Sequence, residues 1–327
     1  MKNGLICFFI LLCTLKGIGQ KTGAPDHFIR LSEDNDGINA LFKGQDWGYT
    51  NGTRLDYFGP RKKRRTRLHQ KIRLFSRKYA TNGWSLVQLM ITPQKTSPFI
   101  PDKNDYPYAG ALIGMHTRHK SDPFRKINLQ TEWVAGILGP ASFAKQTQVF
   151  LHRLIGDPRP NGWDYQLPAD LLLNYNLTYE KQVAGKNKLI LVTGANGFAG
   201  TISDGLSVYT IIRFQNNLNY FSGLAGQLFP VNPKRSGFAF SARPSIDAVL
   251  YNALLDGGLF NSHSPLHDNN AKSGSDLHRK KLQARLDIML HFSFRKFSLS
   301  FTQKWYSPDY KNYVGHKVGN VSLCMGW

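Results

Sequence analysis

The chain has little cysteine, little acid and no long apolar run. Of its three cysteines, Cys7 and Cys13 lie within the first nineteen residues and only Cys324 stands beyond them. With that leader removed no internal disulfide can form, so the core must hold without one. Asp and Glu number 21 against 42 Lys and Arg, a formal charge of +21. Past the leader no stretch reaches the roughly 18 apolar residues of a membrane-crossing helix. Gly 30 and Pro 16 in 327 residues exclude collagen-like repeats, and 41% hydrophobic content excludes a disordered basic tail. Charge alone would suit a nucleic-acid binder, because Lys and Arg release phosphate counterions.

The N-terminus argues against that reading. A basic Met1-Lys2 start, an apolar run from Leu5 to Leu15 and the small-x-small ending Gly17-Ile18-Gly19 have the pattern of a secretory signal peptide over residues 1–19. Lipidation is disfavoured, since Leu12 precedes Cys13 where a small residue is wanted. The exported chain, residues 20–327, is expected to form one domain with no nucleic-acid partner.

What the chain does have is alternation. Leu171, Leu173, Tyr175, Leu177 and Tyr179 share one face of a strand. Leu286, Ile288, Leu290, Phe292 and Phe294 share another, and Phe297, Leu299 and Phe301 a third. A soluble sandwich alternates too. The length of several strands, the aromatics near their ends (Tyr49, Tyr57, Phe58, Trp84, Trp133, Trp305, Tyr306) and the closing stretch Val321 to Trp327 favour an all-β, antiparallel transmembrane barrel in the bacterial outer membrane. Twelve strands are predicted near residues 27–35, 49–58, 83–92, 107–118, 126–138, 169–183, 187–198, 206–216, 236–251, 278–294, 296–306 and 316–327. An even count places both termini on one side. With a periplasmic N-terminus, the connections 36–48, 93–106, 139–168, 199–205, 252–277 and 307–315 face outward. The cluster Arg61-Lys62-Lys63-Arg64-Arg65 then falls in a periplasmic connection, and Leu68, Ile72, Phe75 and Tyr79 follow at helical spacing. This stretch reads either as a basic amphipathic helix on anionic headgroups or as a solvated loop leading into a strand.

Three constellations carry chemistry: Asp34-Asn35-Asp36, Asp46-Trp47-Gly48-Tyr49-Thr50-Asn51-Gly52, and Gln146-Thr147-Gln148 followed by His152. The first two flank one hairpin, so their oxygens can converge for a hard cation such as calcium, which takes about 6–8 oxygen ligands. Asx-rich turns have the same composition. Gln148 and His152 lie four apart and share a face if residues 141–155 form a helix.

At these residues the sequence resembles the outer-membrane lipid A 3'-O-deacylases. The resemblance rests on Asn35-Asp36, Tyr49-Thr50-Asn51-Gly52, Tyr106-Pro107-Tyr108-Ala109-Gly110, Gly139-Pro140, Gln148 with His152, and Gly162-Trp163-Asp164-Tyr165-Gln166, in order from about residue 28 to 180. Asp34 offers a second register for the acidic position, and Tyr106 stands where the family often has Arg. The resemblance implies a twelve-stranded barrel with its active site between the wall and a helix of an outer loop. It also implies calcium-dependent hydrolysis of the ester of the 3'-linked acyloxyacyl chain of lipopolysaccharide. His152 would be the general base, and Asn35, Asp36 and Thr50 would form the cation and oxyanion site. Gln148, Lys95 and Lys103 are assigned to substrate, and the barrel is expected to act as a monomer. The rival reading is a non-catalytic porin or scaffold barrel.

A barrel of this kind should fractionate with the outer membrane and migrate faster in gels unheated than boiled. Recovery from the soluble periplasm would refute it.

Overall fold

The computed structural model describes residues 25–39, 48–60, 79–261 and 278–327. The signal segment, Asp46, Trp47 and the basic stretch 61–78 lie outside the described residues. The strands are β1 (Phe28–Asn35), β2 (Gly48–Pro60), β3 (Ala80–Thr92), β4 (Ala109–Asp122), β5 (Ile127–Leu138), β6 (Asp170–Lys186), β7 (Leu189–Gly200), β8 (Ser203–Asn216), β9 (Gly237–Asn252), β10 (Leu282–Phe294), β11 (Phe297–Tyr306) and β12 (His316–Gly326). Each pairs antiparallel with its chain neighbours, and β1 pairs with β12 from Phe28↔Gly326 to Asn35↔Gly319, which closes the barrel. All twelve fall where alternation placed them. Five of them, β2, β3, β4, β6 and β8, run longer than predicted; β6 continues past a bulge at Gln182/Ala184 because β7 still pairs with it there. Among the described residues three α-helices accompany them: α1 (Ala144–Ile155), α2 (Gly223–Leu228) and α3 (Ala253–Asp256).

Closure gives every central backbone group a partner, the condition for a strand to sit in lipid. The apolar stripes point outward: Leu171, Leu173, Tyr175, Leu177 and Tyr179 are all exposed, whereas Leu172 and Asn174 are buried. The aromatic girdle is smaller than the sequence suggested. Tyr57, Trp84 and Trp133 do face outward, but Tyr49 points into the lumen onto Asp34, and Phe58 packs there on Phe28. Proximity to a strand end does not determine the face; residue parity does.

The lumen is filled with paired polar groups. Arg30 and Arg54 each reach Asp56 at 2.7 Å, with the Ser85 hydroxyl also donating to it. Lys304 meets Asp34 at 2.8 Å. Glu180 accepts hydrogen bonds from Asn128, Tyr209 and Tyr220 at 2.9–3.0 Å. Removing one member of such a buried pair typically costs about 3–5 kcal/mol, since the other charge is stranded.

Both mouths are closed by segments the sequence reading left as plain connections. At the rim carrying the chain ends, residues 217–236 fold back inward. The Leu228 carbonyl lies 2.9 Å from His291 Nε2, the Gln227 carbonyl accepts from Arg213 at 3.2 Å, and Phe229 packs edge-on against Phe28. At the far rim, Tyr106 donates to Asp309 at 2.9 Å, and Tyr313 donates to the Asn104 carbonyl at 2.7 Å. Burial, reinforced by the Asp309 carboxylate, pushes the Tyr106 phenol well above its ordinary pKa and keeps it a donor. Beneath these contacts Val87, Ile91, Ile113, Leu138, Leu172 and Leu254 form an apolar core.

Reconstituted in planar bilayers, the protein should therefore show no stable conductance step. A sustained open level would contradict the closed lumen.

Candidate active site

The sequence between β5 and β6 builds a helix with one useful face. Residues Ala144 to Ile155 contain no Gly or Pro, and Gly156 ends the helix in the left-handed region at φ 80, its N–H bonded to the His152 carbonyl. Ala144, Gln148 and His152, four apart, form its buried face. Phe150, Leu154 and Ile155 on other faces stay more than 60% exposed. That exposed surface is apolar, as on a helix that lies at a lipid interface.

This helix lies on the outside of the barrel wall. Met90 shares the outward parity of Trp84 and Leu86 on β3, yet it is buried, clustered with Tyr108, Ala144 and Trp163. Gln88, of the same parity, donates to the Ser142 carbonyl at 2.6 Å. Gly110, paired with Met90, is where the approach is tightest: a Cβ there would come within 2.3 Å of Ala144 Cβ and 2.4 Å of Ser142 Oγ. Lys145 adds an ion pair to Asp164.

Two hydrogen bonds orient the buried face. The His152 Nδ1 lies 2.7 Å from the Pro158 carbonyl. A carbonyl only accepts, so Nδ1 carries the proton and Nε2 is the basic nitrogen. Trp163 Nε1 donates to Gln148 Oε1 at 2.6 Å. An indole N–H only donates, so the Gln148 oxygen is committed and its NH2 is left as a donor. Trp163 is fully buried against Tyr108, whose phenol burial raises above its ordinary pKa.

Asn35 and Thr50 come from the neighbouring strands. Asn35 is outward by parity and pairs with Asn51. Its Oδ1 accepts from Gly37 N at 2.7 Å and caps the short 3-10 turn Asp36–Ile38. That turn folds over the outer wall in the other direction: a Cβ on Gly319 would meet the Ile38 carbonyl, and the Asn39 oxygen accepts from Gln303 at 2.7 Å. Asp36 within it is 3% exposed. Thr50 is the extra residue of a β-bulge between Tyr49 and Asn51, which sends Tyr49 into the lumen and Asn51 outward. Its hydroxyl donates to the Met90 carbonyl at 3.4 Å, so it adjoins the residue that α1 covers. The 3-10 turn on one side and α1 on the other thus flank an outer-wall strip of β1 and β2, below which Leu55 and Tyr57 lie exposed.

The structure resolves the acidic register. Asp34 points into the lumen, held by Lys304, Tyr49 and Asn320, and is no part of this strip. Glu33 is on it, accepting from Asn51 and Thr53. The sequence reading missed Glu33, although its parity with Leu31 was a usable signal. Lys95 adjoins Thr96, whose carbonyl accepts from Asn161 N at 2.9 Å beside the His152 loop. Lys103 adjoins Asn104, whose carbonyl accepts from Tyr313, and the two ends of this loop are joined by Gln94 N donating to Asp105 at 2.7 Å.

Among the described residues no cluster of three His, Cys, Asp or Glu side chains occurs. A cation on the strip would use carboxylate, amide and hydroxyl oxygens. That donor set suits calcium rather than zinc.

A closed twelve-stranded antiparallel barrel with its apolar stripes turned outward defines an integral outer-membrane protein. The family model described as outer membrane protein LpxR matches residues 5–327. The chain belongs to that family, the outer-membrane lipid A deacylases. Among solved structures it is similar to LpxR from Salmonella typhimurium, with a TM-score of 0.73 and 13% identity, covering 92% of this chain and 100% of that one. A weaker likeness, TM-score 0.32 and 7% identity, covering 94% of this chain and 71% of that one, is to BamA from Haemophilus ducreyi lacking POTRA domains 1–3. No curated protein matches the chain significantly.

Replacing Gly110 by Val should lift α1 from the wall, leaving heat-modifiability intact while limited proteolysis newly cuts within residues 139–165. Unchanged protection there would refute the docking described.

Proposed function

We propose that the protein hydrolyses the ester of the 3'-linked acyloxyacyl chain of lipid A, at a site facing outward with both chain ends on the periplasmic side. The observation that carries this reading is the orientation of His152 on the barrel's outer wall, with Nδ1 on a backbone carbonyl and Nε2 basic. A substrate embedded in the same leaflet can lay its acyl chain along Leu55 and Tyr57 and raise its ester to the level of Thr50.

In this mechanism Nε2 of His152 takes a proton from water as the water oxygen attacks the ester carbonyl. The negative charge that develops on the carbonyl oxygen accepts a hydrogen bond from the Gln148 NH2, which Trp163 holds in place. As the intermediate collapses, the carbon–oxygen bond to the sugar breaks and the protonated imidazole returns its proton to the departing 3'-oxygen. The products are a free sugar hydroxyl and the acyloxyacyl acid. Asp36, Asn35 and Thr50 would hold calcium, which when bound supplies positive charge at the carbonyl oxygen. Lys95 and Lys103, on one loop whose ends are tied by Gln94 N donating to Asp105 at 2.7 Å, are suited to anionic groups of the substrate. The porin reading is disfavoured by the two closed mouths.

His152→Ala should lower deacylation by about 10²–10⁴-fold, the usual contribution of a general base, with the barrel still folded. Gln148→Ala should cost less, and chelation should abolish turnover reversibly with added calcium. The readout is mass spectrometry of lipid A from a host of known acylation. Wild-type activity in His152→Ala, or full activity in excess chelator, would overturn the assignment.

A further inference from the structure

The rim that carries the chain ends has a feature the deacylase reading does not use. A cavity of about 340 Å³ opens between the β4–β5 turn, the β6–β7 turn and the inward-folded segment ahead of α2. It falls at the lower end of the ~300–1,000 Å³ range of small-molecule sites. Its polar lining has one sign. Lys126 and Lys186 both line it, and among the described residues neither forms an ion pair. The neighbouring carboxylate, Asp122, is occupied by the Phe124 and Arg125 amides of its own turn.

The amides add donors. Gln215 and Asn219 line the cavity, and their oxygens are committed, Gln215 Oε1 accepting from Arg213 Nε at 3.1 Å and Asn219 Oδ1 from Phe221 N at 3.2 Å, so each side chain has its NH2 group as a donor. Phe221 gives the cavity an apolar wall. The lining is also tied down: Lys126 sits at φ 56, and its carbonyl accepts from Gln182 N at 3.0 Å, joining the first turn to the β6 bulge. Gln215 N bonds the Lys188 carbonyl at 2.6 Å, joining the second turn to β8.

We propose that this cavity is a second binding site, for a ligand carrying a phosphate group. Two ammonium groups and two amide NH2 groups match the several oxygens of a tetrahedral oxyanion better than the two of a carboxylate. It lies at the opposite end of the barrel from His152 and is independent of the hydrolytic site. On the orientation proposed above, it opens to the periplasm.

The test is calorimetric titration of the full chain in detergent micelles with two probes, inorganic phosphate and glycerophosphoglycerol, the soluble counterpart of a lipid headgroup. Saturable binding of either is expected. Lys126→Gln with Lys186→Gln should weaken it by at least about tenfold, the loss of a charge-assisted contact. The charge-matched control, Lys188→Gln with Lys234→Gln, should stay within about twofold, since diffuse surface charge is screened. Heat-modifiable migration and unchanged lipid A deacylation verify that both variants fold. Tighter binding of glycerophosphoglycerol assigns the site to headgroups; preference for phosphate assigns it to a soluble phosphate ligand. No saturable binding of either probe, or equal loss in the control, overturns the proposal.

Discussion

Everything in this molecule follows from the closure of β1 onto β12. In lipid an unpaired backbone group costs several kcal/mol, so the sheet has no admissible edge, and the register from Phe28↔Gly326 to Asn35↔Gly319 removes the last one. Closure also sorts the side chains, because each strand then has one face toward lipid and one toward a small lumen. That lumen is filled by ion pairs around Asp56 and Asp34 and by the Glu180 cluster, and it is capped at both mouths. The interior is thus used for packing, and His152 and Gln148 sit on a helix packed against the outside of the wall.

The outer wall is a poor place to hold polar side chains, and the structure meets this with two covers. The capped 3-10 turn after β1 lies over β12 and β11, and α1 lies over β3 and β4. Each seats on a glycine of the wall, Gly319 or Gly110, where a side chain would prevent contact. Between them polar groups of β1 and β2, Glu33, Asn51 and Thr53, are hydrogen-bonded to one another on the outward face. The bulge at Thr50 adds to this by turning Asn51 outward and Tyr49 inward within three residues.

The charge of +21 divides between several settings. Part of it is neutralised in the lumen, where Arg30, Arg54 and Lys304 are paired. Part of it lines the rim at the chain ends, where Lys126 and Lys186 share a cavity with no carboxylate.

Residue alternation alone determined the strand count, strand order and lipid-facing stripes, because side chains project to opposite faces with a period of two whatever the neighbours do. The spacing of Gln148 and His152 likewise determined that they share a helical face. Tertiary structure decided what periodicity has no bearing on. It turned Asp34 inward to Lys304 and left Asn35 outward, which adjacent residues in a strand must do but which local sequence does not label as lumen or lipid. It brought Glu33 to the strip, where it accepts from Asn51 and Thr53. It set the tautomer of His152 through the Pro158 carbonyl, a contact six residues away that depends on how the chain turns after Gly156. It also folded residues 217–236 into the lumen, where long-range bonds from Arg213 and His291 hold them, and such contacts leave no periodic trace in the sequence.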